Sequence, residues 1–223
     1  MPQAIIRRAG TIARCAGVPA ALALSLSLSL LLPLMAHADS GGVQTITAQG
    51  QAEMLKDPGV DVEGSAHADL TVVEFFDYRC PYCRKFAPVL ESWLKQDGRG
   101  AVIFKEWPIL GDVSVYASRA ALASRWQGRY LPAHAALMKA DPLQSDADVD
   151  TALRRAGVDL RKLKAALHDH GSEIDALLER NDQEAHALSL KGTPGIVVGR
   201  LLLPGIVDES GFQQVVAVAR AQH

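Results

Sequence analysis

The chain has 223 residues, with 23 Lys and Arg against 25 Asp and Glu, a net charge of −2, and 48% hydrophobic residues. That length suits one domain or one domain with an insertion, and the ordinary composition excludes a disordered, collagenous or coiled-coil chain. The near-neutral balance has no run of like charge and excludes a basic nucleic-acid surface. Three cysteines are too few for a disulfide-stapled scaffold or a four-thiolate zinc site.

Residues 1–38 are set apart from the fold. Arg7, Arg8 and Arg14 form a basic start, and Ala16 to Ala36 carries no charge. Ala36-His37-Ala38 then offers a small-x-small cleavage site. This is the layout of a secretory signal peptide cleaved after Ala38, with an uncleaved membrane anchor as the alternative. Cleavage leaves two cysteines, Cys80 and Cys83, in a compartment where disulfides persist. Residues 39–66 are polar, hold one short helical stretch from Ala48 to Leu55, and read as an N-terminal arm.

Leu70 to Asp77 is rich in β-branched and aromatic residues, with apolar side chains on both faces, which predicts a central strand covered on both sides. Pro81 suits the first position of a helix running to about Gln96, with Phe86, Leu90, Trp93 and Leu94 on one side. Ala101 to Glu106 is a second strand, so residues 70–106 have the length of a βαβ unit. Residues 112–189 are helical in pattern, with capping boxes expected at Ser145-x-x-Asp148 and Ser172-x-x-Asp175. Ile196 to Val198 and Leu201 to Leu203 form a hairpin about Gly199-Arg200, and Asp208 caps a last helix. Asp77 reads as a loop anchor, and Trp93, Trp107 and Tyr116 as core. His134, His168, His170 and His186, with Arg125, Arg129, Arg154 and Arg155, read as surface positions.

The chemistry is concentrated in Cys80-Pro81-Tyr82-Cys83, a C-x-x-C pair at a strand-to-helix junction. Unpaired N–H groups and the helix dipole point at Cys80, and both favour thiolate over thiol. Cys80 is therefore the expected nucleophile and Cys83 the more buried, resolving thiol. Three other readings compete: a structural disulfide, a zinc half-site with His168 and His170, and a non-catalytic pair. Glu74, six residues before Cys80, is expected to have a raised pKa if it stays unpaired in its apolar strand; the alternative is a satisfied structural carboxylate.

Glu74 to Cys83, the helical block, Trp107 to Leu110, Ser118 to Ala121 and the later Gly192-Thr193-Pro194-Gly195 resemble the DsbA-like thiol–disulfide oxidoreductases from about Asp57 onward. The Cys-Pro-Tyr-Cys form is similar to the DsbG and copper-resistance ScsC groups, whereas DsbA itself has His at the position of Tyr82. The resemblance implies an α/β fold: a thioredoxin fold over residues 67–223 with a helical insertion at about 112–189. It implies a cis bond at Thr193-Pro194, placing Thr193 and Pro194 against substrate, whereas an X–Pro bond taken alone is ordinarily trans. It also implies that Glu74 relays a proton to the resolving cysteine. Gly195 departs from the family, which usually has a side chain after this proline.

The expected activity is dithiol–disulfide exchange on periplasmic or secreted proteins bearing thiols or disulfides, as oxidase, isomerase or reductase. A membrane or periplasmic partner recycles the pair. No bound cofactor is required, because the cysteines carry the electrons, and no resident metal is assigned. The alternative is a periplasmic copper- or zinc-binding thiol protein without turnover, since soft thiolates suit Cu(I).

Overall fold

The computed structural model describes residues 42–56, 61–203 and 205–222. The expected leader lies outside these residues, as do residues 57–60. In chain order the elements are β1 (Gln44–Thr45), α1 (Ala48–Leu55), β2 (Asp61–Gly64), β3 (Leu70–Phe76), α2 (Pro81–Asp97) and β4 (Gly100–Glu106). The helical block follows as α3 (Asp112–Ala123), a 3-10 turn (Ser124–Gln127), α4 (Tyr130–Lys139), α5 (Asp146–Arg155), α6 (Leu160–Asp169) and α7 (Gly171–Ala187). The chain closes with β5 (Gly195–Val198), β6 (Leu201–Leu203) and α8 (Glu209–Arg220).

The strands make one sheet in the order β1-β6-β5-β3-β4-β2. β3 runs parallel to β4 and antiparallel to β5. The alternation of β3 explains its central place. Val72 and Phe76 join one core with Phe86, Leu90, Trp93, Phe104 and Phe212. Val73 and Phe75 join a second core with Ile46, Met54, Ile103, Trp107 and Ala185. Side chains that alternate on a strand reach opposite faces of the sheet, so only a strand covered twice can bury both sets. The segment read as an arm supplies both sheet edges: β1 pairs with β6, and β2 pairs with β4. The sequence did not show this, because strands of two and four residues with exposed or half-buried side chains carry too little pattern to stand out.

The helical insertion is fastened to β4 by polar contacts that the sequence does not announce. Lys105 Nζ lies 2.7 Å from Glu184, Trp107 Nε1 donates to Asp182 at 2.8 Å, and Asn181 Nδ2 donates to the Glu106 carbonyl at 3.0 Å. All three partners lie on α7, so that helix is laid across the second face of the sheet. Tyr130 donates to buried Glu106 at 2.5 Å, and burial raises that carboxyl to about 8.

Two surface expectations fail. His134 is buried among Phe76, Phe104 and Tyr130, with Nδ1 3.2 Å from the Tyr78 hydroxyl. Burial pushes its pKa down to about 3. Arg125 is not a solvated residue: it pairs with Asp61 of β2 at 2.6 Å. Of the two capping boxes, Ser145 and Asp148 make theirs in full. Ser172 makes none, because α7 already begins at Gly171 and Asp175 pairs instead with Arg119 of α3.

Candidate active site

The site is built where β3 ends and α2 begins. Asp77 fixes the connecting loop: its carboxylate accepts from Arg79 N at 2.8 Å, Leu110 N at 2.9 Å and the Ser114 hydroxyl at 2.8 Å. Its carbonyl accepts from Cys80 N at 3.0 Å. Cys80 is thereby held in extended backbone as the N-cap of α2, with Pro81 opening the helix. Cys83 follows one turn later and is fully buried, while Tyr82 projects outward, 60% exposed. Both cysteines are free thiols.

The two sulfurs have opposite environments. Cys80 is lowered to about 5, chiefly because the Cys83 thiol donates to its sulfur. Burial opposes this, while Thr193 and the backbone N–H groups of Cys83 and Tyr82 assist. Cys83 is pushed far above the ordinary thiol range, first by burial, then by its bond to Cys80 and by the charge of Glu74. One sulfur is thus a thiolate near neutral pH and the other a firmly protonated thiol, the division of labour that thiol–disulfide exchange requires.

Glu74 lies on β3 between Phe104 of β4 and Ile196 of β5. It is fully buried, and neither carboxylate oxygen has a hydrogen-bond partner among the described residues. Burial, then the charge of Cys80, raises it to about 8. A carboxyl so placed holds a proton near the dithiol at neutral pH.

The Thr193–Pro194 bond is cis, and the Thr193 carbonyl lies 3.2 Å from Cys80 Sγ. The structure therefore brings Glu74, Cys80, Cys83 and Thr193 together from two stretches of chain more than a hundred residues apart. The packing behind this loop accounts for Gly195. Ser189 adopts the left-handed conformation after α7 (φ 57°), and Leu190 N donates to the Ala185 carbonyl at 3.0 Å. This turn puts Leu190 against Gly195, where a Cβ would come within 2.4 Å of Leu190 Cδ1. Leu190 occupies the space that a side chain at position 195 would need.

The sequence reading missed the buried polar group behind the loop, formed by Tyr78, Glu106, Tyr130 and His134. Its one available signal was a charged pair, Lys105-Glu106, inside an otherwise apolar strand. Among the described residues, no group of three or more His, Cys, Asp or Glu side chains is placed to hold a metal, and no helix is long and apolar enough to cross a membrane.

A thioredoxin-like sheet, a C-x-x-C pair at the start of α2, a cis-proline beside it and a helical insertion define a DsbA-like thioredoxin-domain protein. The model of the DsbA-like thioredoxin domain matches residues 71–217, more than half of the chain, which belongs to that family. A solved thioredoxin-like oxidoreductase from Silicibacter pomeroyi DSS-3 is 36% identical, with a TM-score of 0.72 over 79% of this chain and 99% of that one. A periplasmic thioredoxin-like protein from Salmonella enterica serovar Typhimurium is 29% identical, with a TM-score of 0.66 over 80% of this chain and 99% of that one. Among curated relatives, a Na(+)/H(+) antiporter NhaA 3 from Salinispora tropica is 30% identical over 146 residues, 64% of this chain. The chain spans 22% of that relative's length.

Proposed function

We propose that this protein is an exported enzyme that exchanges disulfides with client proteins through Cys80 and Cys83. The observation that carries the reading is the opposed titration of two adjacent sulfurs beside the Thr193 carbonyl. In the oxidising direction a client thiolate attacks Cys80 in the Cys80–Cys83 disulfide. A client–Cys80 bond forms and Cys83 leaves, taking up a proton for which the Glu74 carboxyl is the nearby donor. A second client thiolate then attacks the client sulfur of the mixed disulfide and expels Cys80 as a thiolate. The client loses two electrons and the dithiol holds them until a membrane or periplasmic partner removes them. Thr193 and Pro194 present backbone to the client chain in a strand-like contact.

A leaving thiol of pKa about 5 departs readily and stabilises the reduced protein, which favours oxidation of clients. Tyr82 supplies no cation where DsbA has His, so the pair is less oxidising than DsbA. Equilibration against glutathione tests this: a potential between about −270 mV and about −120 mV, the thioredoxin and DsbA values, is expected. A potential at or below the thioredoxin value overturns the oxidase direction. The rival, a copper- or zinc-holding thiol protein, predicts stoichiometric metal after purification under reducing conditions and no turnover of insulin or client thiols.

Export rests on the leader-like residues 1–38 and on the periplasmic neighbour. Mass spectrometry of periplasmic material is expected to find a chain beginning at Asp39, and intact residues 1–38 overturn the cleavage.

A further inference from the structure

A groove of about 670 Å³ opens beside the reactive sulfur, lined by Arg79, Pro81, Arg84, Pro142, Leu143 and Gln144. Pro81 and Arg79 flank Cys80 in the chain, so the groove lies one residue from the point of exchange. Its six lining residues hold two guanidiniums and no carboxylate. Arg79 is tied down from both sides: Nε donates to the Leu143 carbonyl at 2.9 Å and Nη1 to the Leu110 carbonyl. Arg84 is held less well. Its Nη1 lies 3.5 Å from the Tyr78 and Leu137 carbonyls, at the long limit of a hydrogen bond. Burial lowers the Arg84 pKa, and the charge of Asp141 only partly opposes this. Among the described residues no carboxylate forms an ion pair with this half-buried cation, while Pro81, Pro142 and Leu143 give the groove apolar walls suited to a peptide.

We propose that this groove binds an acidic peptide segment flanking the client cysteine, with Arg84 and Arg79 selecting its carboxylates. The inference rests on the exchange reading above and adds a substrate class to it. Charge complementarity of this kind acts mainly on encounter and orientation, so it is read in rates and in their dependence on salt.

The test uses oxidised full-length protein and three blocked cysteine peptides whose flanking residues are Glu, Gln or Lys. Formation of the Cys80–peptide disulfide is timed, and each rate is divided by that peptide's rate with the neutral hydroxyethyl disulfide, which removes differences in thiol reactivity. At low ionic strength the Glu peptide is expected to react about five- to tenfold faster than the Lys peptide, with the Gln peptide between them. High salt is expected to erase most of that advantage. Arg84→Glu is expected to abolish or reverse it, and Gln144→Glu, on the exposed rim and away from α2, to reduce it without disturbing the fold. Equal rates for the three peptides, or an advantage that survives both substitutions, overturn the groove assignment. The reaction with 2-mercaptoethanol separates the two levels. Protein reduced by this neutral thiol but indifferent to peptide charge keeps the exchange reading and loses the groove; protein reduced by neither thiol nor peptide loses both.

Discussion

Glu74 and Cys80 are two acids displaced in opposite directions, and each displacement has a measurable consequence. Glu74 is raised to about 8 from an ordinary 4.5. Between those values the unfolded chain ionises this group while the folded protein keeps it protonated, so folding stability falls as pH rises through the window. The loss approaches about 1.4 kcal/mol per pH unit and stops above the folded pKa. In urea unfolding of the oxidised protein, Glu74→Gln is expected to gain on wild type steadily from pH 5 to pH 8. A constant difference across that range contradicts a neutral buried Glu74. For Cys80, lowered to about 5, ultraviolet thiolate absorbance of the reduced protein is expected to titrate near that value and to lose the transition in Cys80→Ser. A first transition near the ordinary thiol value contradicts a Cys80 thiolate held by the Cys83 thiol and the first N–H groups of α2. Cys80, Cys83 and Glu74 were legible because their pattern is local: a C-x-x-C after a strand, and an acid in an apolar run. His134, Arg125 and Glu106 were not, because whether a polar residue is buried depends on partners that only the tertiary fold supplies, here Tyr78, Asp61 and Tyr130.

At the scale of elements, periodicity and caps fixed most boundaries. The strands expected at 70–77 and 101–106 stand within one residue of that, at 70–76 and 100–106, and the hairpin about Gly199-Arg200 and the last helix behind Asp208 stand where the pattern placed them. The same capping signature was true at Ser145 and false at Ser172, and the difference is physical. Ser145 stands in extended backbone before α5, so its hydroxyl accepts from Asp148 N. Ser172 is already inside α7, where its neighbour in the signature is taken by Arg119. Ser145→Ala is accordingly expected to cost about 1 kcal/mol in denaturant unfolding, and Ser172→Ala to stay within about 0.5 kcal/mol. Equal costs contradict this assignment. The edge strands β1 and β2 escaped notice for a different reason: two and four residues long, they carry too little alternation to stand out from a polar linker.

For the whole molecule, the consequence of the fold is that a site read as one motif is completed from far along the chain. The sheet order sets β5 beside β3, and this carries Thr193 to 3.2 Å from Cys80 Sγ while Cys83 stays beneath it. The central claim is that these two sulfurs have unequal roles: Cys80 forms the bond to a client, and Cys83 is the buried thiol that leaves Cys80 when a client is oxidised and attacks Cys80 to release the client when exchange runs in reverse. The direct test is to purify Cys83→Ser and Cys80→Ser from cells under acid-quenched, alkylating conditions and to separate them on non-reducing gels. Cys83→Ser is expected to carry mixed disulfides with client proteins, released by reductant, because its Cys80 thiolate attacks a client disulfide and no Cys83 thiol remains to expel the client sulfur; Cys80→Ser is expected to carry few or none. Trapping by Cys80→Ser instead, or by neither variant, would contradict the account.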